Sequence, residues 1–166
     1  MTEGCTILVT GAVASDVESV ALEIGGRLRA RAVPIELIDS RTPGADALRD
    51  ERALLFVAGA LARHGIVTIL GLPAPSRAAR DRARDTLGRL IEVHVHREGG
   101  EIAAEYEPPL RAEVEIAFPD QGAETGADRT LRALELLGLL EAGEGSAYSA
   151  DEEREVIKRL KAFGYL

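Results

Sequence analysis

TILVTGAVASDVES, residues Thr6–Ser19, decides the fold. Ile7, Leu8 and Val9 make the continuous apolar run of a buried strand, Gly11 opens a turn, and an amphipathic stretch follows to Ala32. Strand, glycine, turn and helix in that order are the layout of a phosphate-binding loop, where backbone N–H groups at a helix N-terminus hold an anion. The chemistry that goes with the layout is missing. A working loop carries a second glycine, a lysine and Ser or Thr where this chain has Asp16, Val17 and Glu18. Ser15-Asp16-Val17-Glu18 has the spacing of a capping box, so Ser15 is expected to accept from the residue-18 amide and Glu18 from the Ser15 amide. Two carboxylates suit the positive end of the helix dipole and repel a polyphosphate, each like-charge pair costing about 3 kcal/mol at about 5 Å and a dielectric of about 20. The degenerate loop, Gly11, Ser15, Asp16, Val17, Glu18 and Ser19, therefore predicts a self-capped helix in place of a nucleotide cradle. Glu18 also stands where a hydroxyl would hold magnesium.

The rest of the composition sets bounds. The 166 residues suit a domain of common size, and the scarcity of aromatics (4%, no Trp) leaves Leu, Val, Ile and Ala to fill the core. A net charge of −8 opposes binding to nucleic acid or an anionic membrane surface. The single cysteine, Cys5, rules out an internal disulfide and suits a reducing compartment, so the cytoplasm is expected. No apolar run approaches the length of a membrane span, and no signal segment is read at the N-terminus.

Strand and helix patterns alternate along the chain. Strands are predicted over 33–38, 66–72, 91–96 and 113–118, and helices over 45–64, 76–90 and 128–140. Pro73 and Pro75 break the third strand, and Ser76 can cap the arginine-rich helix after it. This alternation implies right-handed crossovers and a mostly parallel sheet covered on both faces. Residues 1–140 read as one domain, 141–150 as a small polar linker, and 151–166 as a C-terminal helix with a Ser149–Glu152 capping box. Val156, Ile157, Leu160 and Phe163 give that helix an apolar face which is expected to dock, either at home or on a protein partner.

Several stretches together resemble the adenylylsulfate kinase family. They are Gly4–Gly11 (GCTILVTG), residues 56–95 with Ala62-Arg63-His64-Gly65 before the third strand and Pro75-Ser76-Arg77-Ala78-Ala79-Arg80 after it, and Tyr106-Glu107-Pro108-Pro109. The resemblance implies a three-layer α/β/α P-loop NTPase-like fold with a five-stranded sheet in the order 2-3-1-4-5. It also implies ATP and magnesium as reactants in 3′-phosphorylation of adenylylsulfate, and a homodimer. The departures are specific. The loop lacks its lysine, the family's D-G-D is Asp39-Ser40-Arg41, one arginine (Arg52) remains of D-R…N-x-R-R, and most of the basic lid between Val95 and Tyr106 is gone. Asp39, Arg52, Arg77 and Arg80 are the candidate anion- or substrate-binding residues: Arg52 and Arg77 by resemblance face the adenylylsulfate side of the cleft, and Asp39 sits at the C-terminal tip of a strand, where acids work in such folds. The alternative for the arginines is a solvated helix face paired with Glu51, Asp81 and Asp85.

No catalytic residue is assigned. His94 and His96 point to one face of a strand, but no nearby Cys or third His completes a metal site, so none is expected. The favoured expectation is a pseudokinase working as a binding, assembly or regulatory module without cofactor, as a homo-oligomer or with a partner at its C-terminal helix. The alternatives are a divergent ATP- and magnesium-dependent adenylylsulfate kinase of sulfate assimilation, and a non-catalytic sensor of a small anionic nucleotide or sulfated ligand.

Overall fold

The computed structural model describes residues 4–71, 76–99, 105–143 and 148–166. The expected proline break after the third strand, residues 100–104 of the shortened lid and 144–147 of the linker lie outside them. The strands are β1 (Thr6–Gly11), β2 (Ile35–Asp39), β3 (Val67–Gly71), β4 (Leu90–Arg97) and β5 (Val114–Phe118). All neighbouring pairs are parallel, and the order is β2-β3-β1-β4-β5. The helices are α1 (Ala14–Ala30), α2 (Glu51–Arg63), α3 (Arg77–Leu87), α4 (Gly122–Leu136) and α5 (Ala150–Ala162), with a 3₁₀ turn over Ala45–Arg49.

Alternation along β1 explains the layers. Ile7 and Val9 face a core shared with Val20, Ile24 and Leu28 of α1 and Leu131 and Leu134 of α4. Leu8 faces the other way, onto Ile38, Leu70, Ala83 and Leu90. A central strand with both faces covered needs the unbroken apolar run seen in the sequence.

Two predicted helices have different bounds. The segment 45–64 divides because the Asp50 side chain accepts from the Arg52 amide (3.1 Å) and starts α2 afresh. Helix α4 begins six residues before the expected 128, in a stretch of small and polar residues with no apolar period. Gly126 and Ala127 are what that stretch contributes: a Cβ on Gly126 would stand 3.2 Å from Val20 and 3.3 Å from Ile116. Small side chains let the helix lie close, which a search for large apolar residues misses.

The C-terminal helix docks on its own chain. Ser149 and Glu152 form the capping box. Val156 and Leu160 are buried in the α1–α4 core, and Arg159 donates to the Ala112 carbonyl at 2.8 and 3.1 Å. Arg132 of α4 pairs with Glu153. Two residues of the apolar face, Val156 and Leu160, are thus spent internally, while Ile157 and Phe163 are only half-buried.

Glu135 at the end of α4 gathers donors on the same side. Burial alone would raise its carboxyl, but Arg31 (3.0 Å), the Gly143 amide, the Tyr148 hydroxyl and Arg132 hold it below the usual carboxylate range. A lowered folded-state pKa means stability that is complete above the ordinary value of 4.5 and is lost as pH falls through the folded one. In urea melts at a series of pH values, Glu135→Gln is therefore expected to be less stable than wild type at pH 7, with the gap closing below pH of about 4. A gap constant down to pH of about 2 would show that the charge is not responsible.

Among the described residues no helix is long and apolar enough to cross a membrane.

Candidate active-site cleft

The site lies where the strands end. At the tip of β1, a Cβ on Gly11 would stand 2.5 Å from the Val95 carbonyl oxygen and 3.0 Å from Val17 Cγ2. Only glycine lets β1, β4 and α1 converge there.

The expected capping box at Ser15 and Glu18 does not form. Helix α1 starts at Ala14 with Val13 as a cap that offers no side-chain bond. The Asp16 and Val17 amides both donate to the Val13 carbonyl at 3.2 Å. Backbone, not carboxylate, occupies these donors, because the helix begins early enough to include residues 14–17. The side chains do other things. Ser19 Oγ donates to the Ser15 carbonyl (2.8 Å), Glu18 accepts from Ser40 Oγ (2.6 Å), and Val17 packs into the core.

Asp16, in the first turn of α1, is buried and accepts two parallel bonds from Arg97 at 2.8 and 2.9 Å. The register that sets Gly11 beside Val95 carries Arg97 past the end of β1 to the helix N-terminus. A bidentate guanidinium–carboxylate pair is a strong and directional contact. Sequence reading missed Arg97, since its relation to Asp16 exists only once β1 and β4 are paired.

Of the four candidate anion-binding residues, Asp39 is buried and bonded by Arg41 at 2.6 and 3.2 Å. Burial would raise its pKa, but the Arg41 side chain and amide bring it below the usual range. Arg52 is exposed on α2. Arg77 donates its amide to the Glu107 carboxylate (2.7 Å) and its Nε to the Pro108 carbonyl (2.7 Å). Arg80 is buried, with Nε 2.8 Å from Glu92 Oε1, an Nη2 bond to the Glu107 carbonyl, and the Tyr106 ring beneath its guanidinium. Arg77 and Arg80 thus hold the Tyr106–Pro109 segment against α3. Of the acids named as alternative partners, Glu51 is bonded by Arg82, with both contacts at 2.8 Å.

Tyr106 bridges the cleft. Its hydroxyl is 3.1 Å from Thr10 Oγ1, its ring stacks on His94, and burial pushes the phenol above its ordinary pKa. It lines the first of two hollows. One of about 530 Å³ is lined by Val13, Asp16, His94, His96, Arg97 and Glu115, and the other, about 560 Å³, by Leu8, Leu48, Leu54, Leu55, Leu70 and Arg80.

A parallel 2-3-1-4-5 sheet between helical layers, with β1 running into α1 through Gly11, is a P-loop kinase-like fold. The chain belongs to the adenylylsulphate kinase family, whose sequence profile matches residues 3–108. The probable adenylyl-sulfate kinase of Pyrococcus abyssi is 28% identical over 187 aligned positions, covering 99% of each chain. That alignment is longer than this chain, so the relative has segments without a counterpart here. The adenylyl-sulfate kinase of Gloeothece citriformis is 28% identical over 82% of this chain and 97% of its own. Among solved structures, Mycobacterium tuberculosis APS kinase CysC in complex with AMPPNP and APS superposes with a TM-score of 0.64 at 19% identity, over 86% of this chain and 100% of that one. The hexameric APS kinase from Thiobacillus denitrificans gives 0.64 at 20% identity, over 86% and 31%.

Proposed function

We propose that this chain is an adenylylsulphate kinase relative without phosphoryl-transfer activity, serving as a binding or assembly module. One observation carries the reading: the first turn of α1 occupies the loop positions, with the Asp16 and Val17 amides bonded to the Val13 carbonyl. Phosphoryl transfer needs cations and donors positioned around the moving group. Here Val17 is core where a lysine would reach the phosphates, Arg97 is engaged by Asp16, and Glu18 replaces the hydroxyl that would meet magnesium. These residues do not fit a magnesium nucleotide. Residues 1–140 with the docked α5 would form the module, the outward face of α5 or a second copy its contact.

The full-length similarity to named kinases supports a second reading, a divergent kinase acting on adenylylsulfate with ATP and magnesium. A ligand sensor using Arg52 and Arg77 is a third, and it would have to draw Arg77 away from Pro108. Thermal melts with ATP, with and without magnesium, and with adenylylsulfate separate them. The module reading expects no shift with either ligand, together with concentration-dependent association in light scattering. A functioning site at ligand one hundred times its Kd would add about 2.7 kcal/mol, or about 5–10 °C for a chain of this size. A magnesium-dependent shift of that order with ATP, or measurable turnover, would overturn the proposal.

A further inference from the structure

His94 and His96 lie two residues apart on β4, and the parallel register sets His94 beside Glu115 of β5. All three line the 530 Å³ hollow. His94 is only 7% exposed, and its Nδ1 has no hydrogen-bond partner among the described residues; Glu115 Oε1, at 3.8 Å, is beyond bonding reach. A buried polar atom left so costs about 1–3 kcal/mol, and at a cavity wall it marks a place for an ion or a water.

The His94 and His96 ring centres are 5.3 Å apart. Two imidazoles sharing one tetrahedral ion, at metal–nitrogen distances of about 2.0–2.1 Å, place their ring centres about 5 Å apart. Among the described residues no three such side chains already converge as a metal-holding group. The member that must turn is the half-buried His96, by a rotamer change of a kind common on binding. Glu115 supplies the carboxylate, set opposite His94 by the strand register. Arg159 stands 3.0 Å from Oε1 and anchors the carboxylate from α5, as outer partners of metal ligands do.

We infer that His94, His96 and Glu115 bind one divalent ion of the zinc type, with a fourth position open to the hollow. Two neutral imidazoles and a carboxylate favour Zn²⁺ or Co²⁺ over Mg²⁺, which prefers oxygen ligands. The sequence offers the histidine pair alone; the carboxylate comes from the neighbouring strand.

The test is a Co²⁺ titration of the untagged full-length chain, followed by visible absorption. One-to-one binding with the d–d bands of a four- or five-coordinate ion is expected, with Zn²⁺ abolishing the bands and raising the melting temperature. His94→Ala, His96→Ala and Glu115→Gln should each weaken binding by about tenfold or more. His64→Ala, which removes the remaining histidine from the exposed end of α2, should change nothing. Metal-free melts check each fold, and His96→Asn keeps the test valid should His94→Ala unfold. Absence of the bands, or Co²⁺ affinity retained in the His94→Ala/His96→Ala double variant, overturns the inference.

Discussion

Replacing Glu113 by alanine is expected to lower the melting temperature by about 6–20 °C, a loss of about 3–5 kcal/mol. Glu113 is fully buried just before β5. Arg84 of α3 donates to both its oxygens at 2.6 and 3.0 Å, the Glu92 amide donates at 2.7 Å, and the Tyr165 hydroxyl at 2.7 Å. Arg84 also lies 3.5 Å from Glu92, which Arg80 holds at 2.8 Å. Two guanidinium groups and two carboxylates thus balance inside the protein, joining α3, β4, β5 and the C-terminal tail. Removing Glu113 leaves Arg84 with less compensation and the Glu92 amide without its acceptor. The cost is that of breaking a largely buried pair, not of a surface ion pair at about 0–1 kcal/mol. Glu113→Gln keeps an acceptor for the amide and should lose less. Tyr165→Phe, removing one donor, should lose about 0.5–1.5 kcal/mol. If urea melts of Glu113→Ala gave less than about 1 kcal/mol, the network would be replaceable by water and the account of this side of the sheet wrong.

That network marks a boundary in what the sequence can say. The strand order and covered faces were legible because Ile7, Leu8 and Val9 form an unbroken apolar run, and because the stretches around Gly4–Gly11 and 56–95 carry a family resemblance. The Ser149–Glu152 box was legible as well, since both partners lie within one turn of chain. Glu113, Arg97 and Glu115 were not. Each acts through a residue 29 or more positions away, brought close by strand register or helix docking, and no local pattern distinguishes them from surface charges. The Ser15–Glu18 spacing misled for the converse reason. The local pattern was present, but α1 starts two residues earlier than a Ser15 cap requires, and Glu18 turns to Ser40 instead.

Restoring a phosphate-loop lysine is expected to harm the protein without returning its ligand. Val17 is 5% exposed and packs in the α1 core, its Cγ2 close to Gly11. Val17→Lys forfeits about 1.5–3 kcal/mol of apolar burial and brings in an ammonium group with Asp16 already held by Arg97. Part of that charge cost is avoided if the lysine stem extends to the cleft edge, so about 2–4 kcal/mol is the expected loss, or about 4–16 °C in melting temperature. Asp16→Gly and Glu18→Ser, added to it, put a glycine into the first turn of a helix and release Arg97 and Ser40 from their partners. The triple variant should therefore be less stable still, and magnesium–ATP should not shift its melting curve, because the Val13 carbonyl continues to take the amides of residues 16 and 17. A magnesium-dependent rise of about 5–10 °C in the triple variant would mean that the first turn of α1 unwinds readily into an open loop. In that event three side chains alone separate this chain from a nucleotide-binding relative, and the early start of the helix is their consequence, not an independent barrier.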